Sequence, residues 1–402
     1  MHGAVGCHVF AGGFSMGMRK QLEVTGQLEI HDFGRGTVEE RLRLPFFNAD
    51  SWEGWRATKI WKDCDVIFGN PRCTGFSTIT SGYDSSVHGA CAACTKDIWD
   101  LCHFGVEKKM PLVIWESVQQ ASSVGRPLLD RLVNEVFGPA GYRVCHLFLN
   151  AAAFGSAQYR RRYYFIAYRG GNFNVEPPTL PKRHTTVRDV IGPMVDRKAW
   201  PCKSLYNDAQ YDRDAYTPLM YGGPELIPHL LPGECFNIMG KRREEVMKKY
   251  APAMWEKWND RISDLPFSLH CPRRLHWDGL CPTLASSCGN FVHPSLHRHL
   301  TVGEIASLMS WKCIPAGPKP IAQIAKSVCP CVAEWIGKQC NLFLDNHWDE
   351  DWESTYSHHT GEWVGRYLTD KPMEKTFNLT YYAPPKPEVR YDKHGTLDVQ
   401  YP

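Results

Sequence analysis

Short apolar runs alternate with amphipathic segments over the first two-fifths of the chain. The strand-like runs are GAVGCHVF, GQLEIH, CDVIFGN, PLVIWES, YRVCHLFL and RRYYFIAY. The helix-like segments between them are SMGMRKQL, GTVEERLRL and RPLLDRLVNEVF. Strands that alternate with helices predict a mostly parallel, doubly wound α/β sheet. The ligand site of such a sheet lies in loops at the carboxyl ends of the strands.

Composition narrows the class of protein. The chain has 402 residues and 43% hydrophobic content, enough to bury a large core. Its formal net charge is only +3, so a nucleic acid would have to be held by a local basic patch. We see no signal-peptide pattern and no apolar run of membrane-spanning length. A soluble, cytoplasmic, enzyme-sized protein without a membrane partner is expected.

The sixteen cysteines are spread from residue 7 to residue 340. Reduced thiols are expected in a large chain without an export signal. A CAAC segment at residues 91–94 is followed by Cys102 and His103. A zinc site would need four ligands at compatible spacing. The alternative, small packing residues on or near a helix, is favoured, and no metal is expected.

The first candidate segment is FAGGFSMG, residues 10–17, directly after the first strand. Glycines let the backbone approach a ligand, and the helix that follows offers unpaired N–H groups. Glu29, at the end of the second strand, lies where a carboxylate can accept hydrogen bonds from ribose hydroxyls. The spacing matches neither GxGxxG nor GK[ST], so the segment alone is also compatible with an ordinary turn.

A cysteine and a carboxylate follow two further strands. Cys73 lies in GNPRCTGFST behind Val66–Phe68, and Glu116 lies in WES. Carbon 5 of cytosine attacks a sulfonium methyl only poorly, but thiolate addition at carbon 6 makes the ring an enamine that can. A carboxyl group at ring nitrogen 3 would stabilise the developing charge. The alternatives are an inert buried thiol and a helix-capping carboxylate.

Several segments, in their order along the chain, resemble the cytosine-5 DNA methyltransferases of prokaryotes and phages. They are FAGGFS, GNPRCTGFS, ESV, AAFGSAQYRRRYYFIAY, HTTVRDVIG and HRHLTVGEIASLMSW, between about residues 5 and 340. The resemblance implies a Rossmann-like methyltransferase sheet with a smaller target-recognition domain. It also implies that Cys73 is the nucleophile and Glu116 the acid.

The same resemblance assigns phosphate and base contacts to Gln158, Arg160 and Arg162. Alternation along a strand would send Arg160 and Arg162 to one side and Arg161 to the other. The pair could then face the cleft, lower the pKa of the Cys73 thiol and clamp the phosphate of the target nucleotide. A solvated strand face is the alternative.

The cofactor implied by the resemblance is S-adenosylmethionine. Phe10 would stack against adenine, the backbone of residues 11–15 would line the amino-acid end, and Glu29 would take the ribose. Asp50, in NADSW, matches a position that accepts from the adenine amino group. The expected cofactor-binding residues are Phe10, Ala11, Gly12, Gly13, Phe14, Ser15, Glu29, Asp50 and Pro71.

The resemblance also implies a division into domains. Residues 1–184, completed by residues 300–345, would form a discontinuous catalytic domain. Residues 185–299 would form the target-recognition domain, since this stretch mixes basic and aromatic residues suited to phosphate and base contacts. An ordinary polar insertion is the alternative. Residues 346–402 match no motif and are expected to form a partly ordered extension.

Double-stranded DNA is the expected partner, bound by a monomer. A target cytosine must leave the base stack, at a cost of a few kcal/mol. The PTL element with Thr283 and Leu284 resembles a short recognition-domain segment. Together with Gln158 and Ser77, these residues make up the expected substrate contacts.

Two helices near the end of the catalytic segment are expected. In HLTVGEIASLMSW, Thr301 and Glu304 form a capping box. The helix would carry Ile305, Leu308 and Met309 on one apolar face. The following AQIAKSVCPCVAEWIGKQC resembles a closing helix that packs beside the first glycine loop.

The chain departs from the family pattern at several positions. His8 stands where an acidic residue is common, Thr74 replaces a glutamine, and Ser117 replaces an asparagine whose side chain can make more hydrogen bonds. The first loop is shortened to AGGF, and IAKSVCPC replaces Ile-Gly-Asn-x-Val-Pro-Pro. These changes could slow catalysis, reshape the donor pocket or admit a different sulfonium cofactor.

The preferred interpretation is a DNA cytosine-5 methyltransferase that marks DNA in a prokaryote or its virus, for protection or signalling. Two rivals are an altered or inactive DNA-binding member of the same fold and an RNA cytosine-5 methyltransferase. A generic nucleotide-binding α/β protein would explain the glycine loop but not the ordered cysteine, acid and arginine segments.

Overall fold

The computed structural model describes the greater part of the chain. The described residues are 1–49, 52–77, 95–171, 173, 175, 178, 183–195, 224–235, 241–258, 273–284, 291–347, 365–367, 388–391 and 397–400. Asp50 and the CAAC segment lie outside them. Within these residues no helix is long and apolar enough to cross a membrane.

Seven strands form the central part of the main sheet. They are β1 Gly3–Cys7, β2 Glu23–Glu29, β3 Phe46–Asn48, β4 Val66–Gly69, β5 Leu112–Val118, β6 Arg143–Asn150 and β7 Arg161–Tyr168. Their order is β3-β2-β1-β4-β5-β7-β6, and β7 runs antiparallel to both of its neighbours while the other pairs are parallel. The predicted α/β sheet is confirmed.

Five short strands complete the described β structure. They are β8 Arg273–Arg274, β9 Phe291–Val292, β10 Gly365–Tyr367, β11 Glu388–Tyr391 and β12 Leu397–Gln400. Strand β10 pairs in parallel with β6 and is the eighth strand of the main sheet. Strands β8 and β9 form a parallel pair, and β11 and β12 form an antiparallel pair.

The helices flank the sheet and fill the segments between strands. They are α1 Gly13–Met18, α2 Trp52–Thr58, α3 Lys96–Glu107, α4 Arg126–Arg131, α5 Val187–Ile191, α6 Lys241–Tyr250, α7 Pro252–Trp258, α8 Val302–Leu308, α9 Pro320–Lys326 and α10 Pro330–His347. The helix predicted over GTVEERLRL is π-helical from Thr37 to Leu42. The helix predicted over RPLLDRLVNEVF begins as α4 and continues in π-helical form to Phe137.

Alternation along the central strands divides the core into two clusters. Leu112 and Ile114 of β5 belong to one cluster, and Val113 and Trp115 belong to the other. Successive strand residues point to opposite faces, so the clusters lie on the two sides of the sheet. Helices α1, α8, α9 and α10 contribute to the first cluster, and α3 and α4 contribute to the second.

The start of α8 confirms the predicted capping box. The Thr301 hydroxyl accepts from the Glu304 N–H at 3.2 Å, and the Glu304 carboxylate accepts from the Thr301 N–H at 2.8 Å. Ile305 and Leu308 are buried in the first cluster, as is Met309 just beyond the helix.

The closing helix α10 packs against α1, next to the first glycine loop. A Cβ atom at Gly17 would lie 2.2 Å from the carbonyl oxygen of Pro330 and 2.4 Å from the Cβ of Ala333. A Cβ atom at Gly13 would lie 2.6 Å from the carbonyl oxygen of Val328. These contacts are too close for any side chain, so the two glycines set the distance between the helices.

We expect Gly17→Ala to lower the free energy of unfolding by about 2 kcal/mol, measured by urea denaturation. Alanine is favoured over glycine inside a helix by about 1 kcal/mol, but here its Cβ would displace the backbone of α10. Gly192→Ala is the control, because its Cβ would meet no atom closer than 3.5 Å. Equal stability of both variants would contradict this account.

Candidate active site

Cys73 lies in the loop that follows β4, residues 70–77. Its carbonyl oxygen accepts the N–H groups of Phe76 at 3.0 Å and Ser77 at 3.1 Å, which closes a turn. The Phe76 side chain is fully buried in the core and anchors this turn. Cys73 itself is only partly buried. The core therefore fixes the backbone of a cysteine that keeps some exposure.

Glu116 lies in the neighbouring strand β5 and is only 2% exposed. Its Oε2 accepts a hydrogen bond from Asn70 Nδ2 at 2.9 Å, and its Oε1 lies 3.1 Å from Arg162 Nε. Among the described residues no donor makes an aligned hydrogen bond to Oε1. One oxygen thus ties the carboxylate to the Cys73 loop, and the other retains hydrogen-bonding capacity for a ligand.

The replacement of asparagine by Ser117 changes how the site is braced. The Ser117 side chain is buried, and its hydroxyl has no hydrogen-bond partner among the described residues. The amide that holds the acid comes instead from Asn70, whose own N–H donates to the carbonyl of His8 at 3.3 Å. The hydrogen bond between Asn70 and Glu116 thus connects β5 to the loop after β4.

The environment raises the pKa of the Cys73 thiol. Burial is the largest cause, and the negative charge of Glu116 acts in the same direction. Arg162 and Arg160 oppose the shift without overcoming it. The arginine pair therefore acts in the expected direction, but burial and the carboxylate outweigh both guanidinium groups, so the pKa of the thiol is raised overall.

Arg160 connects distant parts of the chain. Its Nη2 donates to the carbonyls of Ala325 and Ser327, both at 3.0 Å, and its Nη1 donates to the carbonyl of Leu284 at 3.3 Å. The side chain is buried, which lowers the pKa of the guanidinium to about 10. The guanidinium that was expected to clamp a phosphate thus donates its hydrogen bonds to backbone carbonyls instead.

The expected substrate contacts lie in two places. Gln158 forms a β-bridge with Cys281, and its buried side-chain amide has no hydrogen-bond partner among the described residues. The Thr283 hydroxyl donates to the carbonyl of Tyr159 at 2.7 Å. Leu284 is buried nearby, whereas Ser77 lies on the Cys73 turn. Gln158 and the PTL element are therefore neighbours in the fold.

A cleft opens at the carboxyl ends of β1 and β2. Its lining residues are His8, Phe10, Glu29, Ile30, His31, Phe33, Arg72 and Asp97. Phe10 and Glu29 were expected there. Ile30, His31 and Phe33 were missed, although their position just after β2 was a usable signal. Arg72 and Asp97 were also missed, because they meet only through the fold.

The loop between β1 and α1 has an unusual backbone. His8 and Phe10 adopt left-handed conformations with φ of 55° and 57°, and Gly12 has φ of 84°. Left-handed geometry is uncommon for residues other than glycine and is often found at functional sites. Gly12 also lacks room for a side chain, since a Cβ would lie 2.5 Å from Leu42. Gly12 is therefore needed for its close contact with Leu42 of the same protein, whatever ligand the loop binds.

Glu29 is held inside this loop. Its carboxylate accepts the Val9 N–H at 2.5 Å and lies 3.3 Å from the Gln27 amide nitrogen. Burial raises the pKa of Glu29 to about 8, although the hydrogen bonds act in the opposite direction. Its position fits a carboxyl group that receives ribose hydroxyls.

The other expected cofactor residues line or support the same loop. Ala11 and Ser15 are fully buried, and the Ser15 hydroxyl has no partner among the described residues. Phe14 packs at 4.9 Å against Phe68, so its side chain belongs to the core. Pro71 is buried beside the Cys73 turn. The strained loop, the buried carboxyl and the unpaired hydroxyl together fit an adenosyl cofactor.

Arg72 makes an ion pair beside Cys73. Its Nε and Nη2 contact the carboxylate of Asp97 at 2.6 and 3.0 Å. Asp97 lies at the start of α3 and is buried. Two parallel contacts of this kind fix orientation as well as distance. The pair attaches the cysteine loop to α3 and forms part of the wall of the cleft.

No group of His, Cys, Asp or Glu side chains among the described residues is arranged to hold a metal ion. Cys102 packs in the second core cluster. Every described cysteine is a free thiol.

Curated relatives of the chain are bacterial Type II methylases and methyltransferases. Type II methyltransferase M.XorII of Xanthomonas oryzae pv. oryzae is 28% identical over 310 residues, which cover 69% of this chain and 68% of that protein. Type II methylase M.HgiDII of Herpetosiphon aurantiacus is 25% identical over 226 residues, which cover 51% of this chain. The chain spans 57% of the length of the Herpetosiphon protein.

Solved structures share the fold. An E. coli prophage-encoded protein described as a DNA modification methyltransferase has a TM-score of 0.60 at 18% identity, over 86% of this chain and 100% of its own. The family description C-5 cytosine-specific DNA methylase matches residues 9–342. Because that match covers most of the chain, the chain belongs to the C-5 cytosine-specific DNA methylases.

Proposed function

We propose that this protein is a DNA (cytosine-5-)-methyltransferase that takes its methyl group from S-adenosylmethionine. The observation that carries the proposal is the hydrogen bond from Asn70 of the Cys73 loop to Glu116, at 2.9 Å. It joins a nucleophile and an acid from neighbouring strands. The cleft that contains Glu29 opens at the same edge of the sheet.

The reaction begins on the protein side with Cys73. The sulfur adds to carbon 6 of cytosine, and the electron pair of the carbon 5–carbon 6 double bond is released toward ring nitrogen 3. Glu116 holds a proton at that nitrogen and stabilises the charge that develops. S-adenosylmethionine supplies an electrophilic methyl group when bound. Carbon 5 of the enamine takes this methyl group, and loss of the carbon 5 proton to solvent then expels the Cys73 sulfur and restores the double bond.

The charges of the site couple its two reacting groups. The negative charge of Glu116 is the second cause, after burial, of the raised pKa of Cys73. A proton shared between Glu116 and the base would weaken that charge, so a bound cytosine favours the thiolate. Arg162 lies 3.1 Å from Glu116 and acts to lower the pKa of Cys73. With the charge of Glu116 weakened, its effect on that pKa would exceed the effect of the carboxylate. The thiol is therefore least reactive when no base is present.

Recognition of the target is assigned to the remaining segments. We place the catalytic domain in residues 1–184 and 300–345 and the target-recognition domain in residues 185–299. The partner is double-stranded DNA, bound by a monomer in the cytoplasm of a bacterial or phage-infected cell. The buried Gln158 amide, next to the PTL element, supports contacts between the two parts.

We expect Cys73→Ala to abolish covalent capture of DNA that contains 5-fluorocytosine. The fluorine cannot leave as a proton does, so the wild-type adduct persists and is seen as a shifted band on a denaturing gel. Cys313→Ala, a change at another partly buried thiol, is the control and should trap normally. An adduct that survives Cys73→Ala would sink the proposed mechanism.

The same assay separates the rival functions. Trapping on RNA oligonucleotides but not on duplex DNA would identify an RNA methyltransferase. Duplex binding without an adduct or methyl transfer from labelled S-adenosylmethionine would identify an inactive DNA-binding protein.

For Glu116→Gln we expect methyl transfer about 100-fold to 10,000-fold slower, as when a general acid is removed.

We expect the affinity for S-adenosylhomocysteine, measured by titration calorimetry, to rise with pH and level off near pH 8. Below that pH Glu29 holds a proton, since burial raises its pKa to about 8, and ribose hydroxyls donate best to the ionised carboxylate. The gain is at most about tenfold per pH unit. Glu29→Gln should remove the dependence on pH.

Linkage gives this group a second, opposite effect on stability. Between its ordinary value of 4.5 and about 8, the folded carboxyl group binds a proton more tightly than the unfolded chain does. Its contribution to the free energy of unfolding therefore falls as pH rises through this window. A ligand-free protein whose thermal stability gained from Glu29 as pH rose would contradict the assignment.

A further inference from the structure

One ion pair lies between the proposed nucleophile and the cleft. Arg72 directly precedes Cys73, and both Arg72 and Asp97 line the cleft that contains Glu29. The Nε and Nη2 atoms of Arg72 lie 2.6 and 3.0 Å from the two carboxylate oxygens of Asp97. Parallel contacts of this kind fix the plane of the guanidinium as well as its distance from the carboxylate. The orientation of the residue next to the sulfur is therefore set from α3.

Asp97 is the rigid side of this pair. Its side chain is 9% exposed, whereas that of Arg72 is 44% exposed. Asp97 lies in the first turn of α3, and one turn later Leu101 is fully buried in the second core cluster. A Cβ atom at Gly69, the last residue of β4, would collide with Leu101. Helix α3 thus packs directly on the end of the strand from which the Cys73 loop departs.

Other residues of the Cys73 loop attach it to other parts of the fold. Asn70 donates to Glu116 of β5. Phe76 is fully buried in the second core cluster, and its N–H donates to the carbonyl oxygen of Cys73. The ion pair of Arg72 adds a link to α3 at the residue adjacent to Cys73. Because the two residues share a peptide bond, a change in the ion pair shifts the sulfur directly.

The ion pair contributes position to this site more than charge. The largest charge effects on the pKa of the Cys73 thiol come from Glu116 and Arg162. The cation of Arg72 is balanced by the anion of Asp97, and two opposite charges this close largely cancel at longer distances. Removal of the whole pair therefore leaves the ionisation of the thiol nearly unchanged, while it releases the backbone beside the sulfur.

We propose that the ion pair between Arg72 and Asp97 positions Cys73 for attack on carbon 6 of the target base. The inference rests on the proposed function, because it takes Cys73 to be the nucleophile. Arg72 and Asp97 are 25 residues apart in the chain, and Cys73 lies between them. The pair closes this segment at its base and holds its first residues against α3. Both are positioning residues, which act through Cys73.

A double-mutant cycle tests whether the two side chains act as one unit. For Arg72→Met and for Asp97→Asn we expect methyl transfer to duplex DNA to be about 10-fold to 100-fold slower in a single turnover at saturating DNA and S-adenosylmethionine. The double variant should be no slower than either single variant, because each change already breaks the pair. Arg72→Lys keeps the charge without the two parallel contacts and should recover little of the rate.

The matched control is Glu107→Gln at the other end of α3. Glu107 pairs with Arg56 of α2 through a guanidinium, far along the helix from the Cys73 loop. This variant removes an ion pair of the same type from the same helix and should transfer methyl at the wild-type rate. Duplex affinity, measured by fluorescence anisotropy, should be the same in all of these proteins.

A second readout separates positioning from activation of the thiol. The pH dependence of Cys73 alkylation by iodoacetamide, followed by mass spectrometry of its peptide, gives the pKa of the thiol. In the double variant we expect this pKa to match that of the wild type while methyl transfer stays slow. A raised thiol pKa that accounts for the slower transfer would show that the pair activates the sulfur electrostatically, which overturns the positioning role.

The remaining outcomes are also decisive. Wild-type rates in Arg72→Met, whose changed side chain is half-exposed and tolerates substitution, would overturn the inference and leave the proposed function intact. Additive losses in the double variant would show that the two residues do not act as a pair. A wild-type protein that neither methylates DNA nor forms an adduct with 5-fluorocytosine would overturn the proposed function and this inference with it.

Discussion

The site depends on one buried carboxylate. Glu116 is 2% exposed, and its oxygens contact Asn70 from the loop after β4 and Arg162 from β7. A carboxylate buried this deeply is stable only when it is paired and hydrogen-bonded. Its two partners come from the strands on either side of β5. The requirement to satisfy this one group therefore fixes the cysteine loop and the arginine strand relative to each other, and the reactive sulfur takes its place from that arrangement.

Much of this could be predicted from sequence, for identifiable reasons. Six of the seven main strands are mostly buried runs of four to eight residues, whereas β3 has three residues, too few for a pattern to show. Cys73 and Glu116 could be found because each lies at the end of such a run, where neighbouring parallel strands meet. The structural role of Arg160 could not be predicted, because its partners Leu284 and Ala325 are 124 and 165 residues away in the chain. Sequence spacing carries no information about such contacts.

Arg160 and Arg162, separated by one residue, make different contacts. Both act electrostatically on the Cys73 thiol and favour its ionised form. Arg162 pairs with Glu116, whereas the guanidinium of Arg160 donates to the carbonyl of Leu284 in the PTL element and to carbonyls of the segment that precedes α10. A buried guanidinium with several carbonyl partners is a rigid connector. The site is thus assembled from segments far apart in the chain, with Arg160 joining them.

The departure at Ser117 bears on whether Glu116 and the Cys73 loop are still held together. Serine is too short to brace the cysteine loop, and its hydroxyl makes no hydrogen bond among the described residues. A buried carboxylate without partners would destabilise the fold. Here an amide from Asn70 contacts Glu116, so the carboxylate is joined to the loop that carries Cys73 without any bond from Ser117. The two candidate groups are therefore held together by the neighbouring loop despite the departure at Ser117.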